Sequence, residues 1–164
     1  IDNDERLRGQ LAVENVIAPQ RYVLETPGDV EELEAVAENN NLTVPGYTLD
    51  NGHADDPVEM AEAMGGAISN VHLHDRVSEN QRRQDYLRDR YDIPEGQEVG
   101  TSGEREGELT HLPPGAGSTD INSFLQALED QDYDGNLMLE VHPSYARFGH
   151  EEFAEDVDNL RELL

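Results

Sequence analysis

The chain has 164 residues, enough for one domain with a core of its own and no call for a second, and its 37 acidic residues against 11 basic ones give a net charge of −26. Every basic residue is an arginine and there is no cysteine, which excludes disulfides and thiolate metal sites. No apolar run approaches the roughly 18 residues needed to cross a membrane, and nothing reads as a signal peptide, so the expectation is a cytoplasmic protein.

So much like charge opposes compaction in dilute buffer. At ~1 M salt, however, the Debye length falls to roughly 3 Å and surface repulsion largely disappears. The apolar residues keep regular strand and helix periods, so the composition is read as that of a folded protein from a halophile, adapted to a salt-rich interior. The acidity also argues against a nucleic-acid partner, because phosphate binding relies on clustered Lys and Arg. One basic cluster, Arg82, Arg83, Arg88 and Arg90, is interleaved with Asp85 and Asp89.

In chain order, residues 1–9 read as the polar end of a helix stopped by Gly9. Leu11 to Val13 form a short buried strand ending at Glu14-Asn15. A loop with Pro19 and Pro27 leads to Gly28-Asp29, a helix start, and Val30, Leu33, Val36 and Ala37 then recur at helical spacing up to Asn39-Asn40-Asn41. The second strand, about Leu42 to Leu49, is irregular at Pro45-Gly46 and ends in Asp50-Asn51-Gly52-His53. Asp56-Pro57 is a cap followed by a good first helical residue, with Met60, Ala61 and Met64 facing inward. The third strand, Asn70 to Leu73, runs into His74-Asp75.

Residues of about 76–110 read as a long polar insertion loop, a lid or an oligomer contact, with a helical stretch at Glu79 to Tyr91 too poor in apolar residues for a core element. Asp120 then starts a helix with Ile121, Phe124, Leu125 and Leu128 on one face. The last strand, Asn136 to Val141, carries Glu140. After His142-Pro143 and an irregular segment, a final helix uses Phe153, Val157, Leu160, Leu163 and Leu164. Strand and helix alternate four times, which predicts a parallel α/β sheet.

Apolar strands thus deliver Glu14, Asp50, His72 and Glu140 at their carboxyl ends, where parallel folds assemble their sites. Any one such residue is more often a cap or a loop anchor, and His72 alone is more often a satisfied core histidine. Four strand ends agreeing is what points to a site. Carboxylates and imidazoles without thiolates bind a divalent metal, Mn, Mg, Zn or Co, with little discrimination among them. His53, three residues beyond Asp50, is placed to approach a substrate or a second metal. A metal that polarises a carbonyl beside a glutamate base supports proton abstraction from the neighbouring carbon. Two glutamates serving two faces of that carbon give isomerisation or epimerisation. His74, facing away from His72 by strand alternation, reads as structural support.

The segments LAVEN (11–15), LDNGHA (49–54), VHLHD (71–75), HLPPGAGSTDI (111–121) and YDGNLMLEVHP (133–143) resemble the xylose isomerase-like TIM barrels, a superfamily of sugar-phosphate isomerases and epimerases and of endonuclease IV. The resemblance implies a single parallel (β/α) TIM-barrel-type domain over residues 1–164. About four β/α units would correspond to the C-terminal half of a (β/α)8 barrel. It implies metal ligands at Glu14, Asp50, His72 and Glu140, an acid/base pair in Glu14 and Glu140, and substrate or second-metal contacts at His53 and His111. The implied function is a metal-dependent sugar or sugar-phosphate isomerase or epimerase. An endonuclease IV-like phosphodiester hydrolase is the alternative, and Leu109 stands where that enzyme's pattern has an aspartate two residues before the histidine. A non-catalytic half-barrel is the third reading. Because a barrel of this kind needs eight strands in about 250 residues, the chain is expected to be a fragment. Its partner would be a missing N-terminal half-barrel or a second copy of the chain.

Overall fold

The computed structural model describes residues 12–18, 21–43, 46–102 and 107–164; the helix end expected within residues 1–9, Leu11, Pro19 and Pro45 lie outside them. Two compact units divide the chain. One runs as far as His72 and takes in Gln126–Met138, and the other comprises Leu73–Leu125 and Leu139–Leu164.

The first unit opens with β1 (Val13–Glu14) and a hairpin of β2 (Val16–Ala18) and β3 (Arg21–Val23). Then come α1 (Pro27–Asn39), β4 (Tyr47–Asp50), α2 (Pro57–Met64), a 3₁₀ turn at Gly65–Ala67 and β5 (Ile68–Leu73). Helical crossovers return each strand in the same direction. Accordingly, β1 pairs parallel to β4 with Glu14 beside Thr48, and β4 pairs parallel to β5 with Asp50 beside His72.

Local signals explain the helices. The Asp29 carboxylate accepts from the Thr26 amide at 2.7 Å and the Thr26 hydroxyl at 2.8 Å, so α1 starts a little earlier than Gly28. Val30 and Ala37 are buried as expected, but Val36, expected beside them, is half-exposed. Asp56 accepts from the amides of Val58 and Glu59 ahead of α2, whose Met60, Ala61 and Met64 are buried. Tyr47 is fully buried and donates to Glu34 at 3.1 Å. Burial, with the Glu34 carboxylate beside it, pushes the Tyr47 hydroxyl up to about 12.

The second unit corrects the expectation of a polar loop over 76–110. It contains β6 (Asp75–Ser78), α3 (Gln81–Arg90), β7 (Thr101–Ser102) and β8 (Glu108–Leu112). β6, β8 and β7 form an antiparallel sheet in that order. Leu87, Tyr91, Ile93, Val99, Leu109, Leu112, Ala116 and Tyr145 make a buried cluster there. Leu87 and Tyr91 are one helical turn apart, so a single narrow stripe suffices to dock a helix whose other positions are charged. Tyr91 donates to Asp156 at 2.5 Å and packs edge-on against Tyr145, whose own hydroxyl donates to the Val99 carbonyl. Burial drives both tyrosine hydroxyls well above their ordinary range.

α4 (Ile121–Asp130) begins in the second unit and ends in the first, and β9 (Leu137–Leu139) is the neighbour of β5, giving the sheet order β1-β4-β5-β9. At the start of α4, Asp120 accepts from the amide and hydroxyl of Ser123. The segment after His142-Pro143, expected to be irregular, is a short helix, α5 (Pro143–Phe148), capped by the His142 side chain. α6 (His150–Arg161) follows; Leu160 is buried, while Leu163 and Leu164 lie beyond the helix and are exposed.

Candidate metal centre

Glu14, Asp50 and His72 stand at the carboxyl ends of three neighbouring parallel strands. Because Asp50 is in register with His72 and Glu14 is beside Thr48, the three side chains converge. His72 Nδ1 lies 3.0 Å from Glu14 Oε1 and 3.8 Å from Asp50 Oδ2. One ligand atom from each of the three lies within 4.8 Å of the others. The burial is graded: the Asp50 side chain is fully buried, that of His72 is 16% exposed and that of Glu14 is 37% exposed. One carboxylate is thus held in the protein interior and the other meets solvent.

The chain spends its main chain on fixing Asp50. Its Oδ1 accepts from the amides of Gly52 at 2.8 Å and His53 at 3.1 Å, while Oδ2 is the oxygen turned towards His72. Asn15, fully buried, clamps the ends of β1 and β4: its amide donates to the Asp50 carbonyl at 2.8 Å and its oxygen accepts from the Asp50 amide at 2.7 Å. The Asn15 carbonyl faces His53 Nδ1 at 3.0 Å. A carbonyl can only accept, so neutral His53 carries its proton on Nδ1 and its lone pair on Nε2. That is the form in which an imidazole ligates a metal or accepts a proton. Asn15 is therefore a site residue that the sequence reading left without a role. The signal was an asparagine directly after a strand-end glutamate.

His111 and Glu140 belong to the second unit. The Glu140 amide donates to the Leu73 carbonyl at 3.1 Å, which sets Glu140 just beyond the end of β9. His74 is fully buried and lies flat on His111, with ring centroids 4.4 Å apart and planes 7° from parallel. Its Nδ1 accepts from the His111 amide at 3.1 Å. The Thr110 hydroxyl donates to the Thr101 carbonyl at 3.1 Å and lies 2.9 Å from His111 Nδ1. With the hydroxyl proton committed to Thr101, His111 Nδ1 is the donor to Thr110, and its lone pair is on Nε2.

Two carboxylates and an imidazole around one point are a sound donor set for a divalent cation of the Mg, Mn, Zn or Co kind. The convergence also has a charge logic. Two carboxylates placed this close to one another favour a positive partner between them, and a metal ion is the strongest such partner.

The chain matches the model of a family described as xylose isomerase-like TIM barrel over residues 4–163. No match was found among curated protein sequences. Among solved structures, a D-tagatose 3-epimerase-like protein is similar at 21% identity and a TM-score of 0.51, over 92% of this chain and 48% of that one. A xylose isomerase domain protein from Planctomyces limnophilus is similar at 14% identity and a TM-score of 0.58, over 93% of this chain and 45% of that one. The chain spans about half the length of these structures, and the likeness is one of fold, a partial α/β TIM barrel. With parallel β/α units and a family match across nearly its whole length, the chain belongs to the xylose isomerase-like TIM barrel family.

Proposed function

We propose that this chain carries the metal-binding part of a divalent-metal-dependent sugar or sugar-phosphate isomerase or epimerase. The observation that carries the reading is the convergence of Glu14, Asp50 and His72 at three parallel strand ends, with His72 Nδ1 3.0 Å from Glu14. That the similar structures are a D-tagatose 3-epimerase-like protein and a xylose isomerase domain protein supports the substrate class.

In this reading Glu14, Asp50, His72 and Glu140 hold the cation. Once bound, it supplies Lewis-acid polarisation of a substrate carbonyl. Everything else is done by side chains. Glu14, partly exposed, takes the proton from the carbon beside the carbonyl. Glu140 works on the other face of that carbon, returning or removing the proton there. Asp50 stays rigid, because backbone amides hold one of its oxygens. His53 and His111, each with its lone pair on Nε2 by the contacts above, meet substrate hydroxyls or a second cation.

The other half of the active site would come from an N-terminal half-barrel or a second copy of the chain. A protein of net charge −26 would do this work in a salt-rich cytoplasm, where screening is strong.

The test is solvent exchange. Chain loaded with Mn²⁺ at high salt, together with its partner half where one is required, is incubated in deuterated buffer with a panel of ketoses and their phosphates. Deuterium should enter the carbon next to the carbonyl, and Glu14→Gln and Glu140→Gln should each stop it. Absence of exchange across the panel with metal bound overturns the isomerase reading.

A further inference from the structure

We propose that Asp75 is a positioning residue for His111: its carboxylate fixes the loop 113–119 and, through it, the orientation and tautomer of that imidazole. Asp75 is 1% exposed, and among the described residues main-chain amides meet its carboxylate. Oδ1 accepts from Arg76 at 2.8 Å and Thr119 at 2.9 Å, and Oδ2 from Gly115 at 3.0 Å and Gly117 at 2.8 Å. Four amides converging on two oxygens form a concavity of the type that binds anions, and here the protein's own side chain fills it.

The loop is held from its other side as well. The Arg83 guanidinium donates to the carbonyls of Ala116 and Gly117, and the Ser118 amide donates to the Arg76 carbonyl at 2.9 Å. Gly117 is obligatory, because a Cβ there would sit 2.3 Å from Asp75 Oδ1 and 2.4 Å from the Arg76 carbonyl.

This loop is the continuation of His111. Asp75 pairs with Leu112 across β6 and β8, and Pro113 and Pro114 stiffen the link onward. His111 has a φ of 56°, a left-handed conformation that costs a non-glycine residue energy and persists only when its surroundings enforce it. Consecutive residues supply that enforcement. His74 receives the His111 amide and stacks on its ring, while Asp75 anchors the chain immediately downstream. Held so, His111 keeps Nδ1 against Thr110 and turns Nε2 to its task. That this task is substrate or metal contact rests on the function proposed above; the positioning itself does not.

The experiment is ¹⁵N NMR of the histidine side chains in the full chain, metal-free, at high salt and about pH 8, with amide exchange measured alongside. In the wild-type chain His111 should show a protonated Nδ1 and a bare Nε2. Asp75→Asn puts an NH₂ group against two of the amides. It should shift the His111 signals towards a mixture of tautomers and speed exchange at Gly115 and Gly117 by roughly tenfold to a hundredfold, the loss expected for hydrogen bonds to a charged acceptor. Gly117→Ala disrupts the same contacts from the loop side and should give the same His111 signature. An unchanged His111 spectrum in both variants, or a wild-type His111 protonated on Nε2, overturns the proposal. So does failure of both variants to fold, since Asp75 would then hold the unit together rather than aim one residue. If the wild-type chain catalyses no proton exchange, the isomerase reading falls while the His111 spectrum still decides this one.

Discussion

Two aspartates at strand ends, Asp50 and Asp75, are both essentially inaccessible to solvent, yet they face opposite company. Asp75 is saturated on both oxygens by main-chain amides. Asp50 has one oxygen held by amides and the other turned to an imidazole with a second carboxylate close by. A carboxylate ringed by N–H groups has its charge neutralised by dipoles and builds structure. One that shares its space with a like charge and an imidazole favours a positive partner, the company that the proposed metal site calls for. What separates the two aspartates is the partner set rather than burial or strand position.

The sharpest way to break this comparison is to remove one imidazole from each region. His72→Ala should weaken Mn²⁺ or Zn²⁺ binding by more than about a hundredfold in calorimetric titration, since even outlying partners of a metal site cost ten- to a hundredfold. His74→Ala should leave affinity nearly intact and instead cost about 1–3 kcal/mol of stability, as expected when a buried amide loses its acceptor. Equal loss of metal affinity in both variants would erase the distinction.

A second effect should be confined to the antiparallel region. Leu87 is fully buried in its cluster, and Leu87→Ala should destabilise by about 2–5 kcal/mol, seen as faster proteolysis between residues 76 and 110. A chain in which this change is silent does not have a packed core there.

The smallest effect lies in the first unit and reads pH. Tyr47, with an ordinary value near 10 unfolded, is pushed up to about 12 in the folded chain. An acid with a raised folded value contributes stability that is complete below the unfolded value and is lost as pH climbs through the folded one. Denaturant titrations should therefore show stability falling between pH 10 and 12, with a gentler fall in Tyr47→Phe. Identical slopes would mean that Tyr47 ionises without consequence.

The candidate site is more legible in the sequence than the second unit, for a physical reason. Parallel strands read as short apolar runs, so the runs ending in Glu14, Asp50, His72 and Glu140 stand out, and side-chain chemistry at their ends can be named directly. The insertion has no such runs: β7 is two residues long, and α3 docks by few apolar side chains among arginines and aspartates. Asp75 gives no such signal, because its partners are amides, which every residue possesses and no sequence displays. Only the spacing of Gly115 and Gly117 hinted that backbone would come close there. Asn15 escaped for the same reason, since it bonds to the main chain of Asp50.

The divided carboxylate of Asp50 also bears on which ion the proposed site would favour. With Oδ1 engaged by the amides of Gly52 and His53 and Oδ2 directed at His72, this side chain would offer a cation a single oxygen. Calcium prefers six to eight oxygen ligands and commonly uses both oxygens of a carboxylate, whereas smaller ions accept one from each in a tighter shell. In the proposed site, backbone hydrogen bonds two and three residues away would thus act as a size filter, weighting it against calcium.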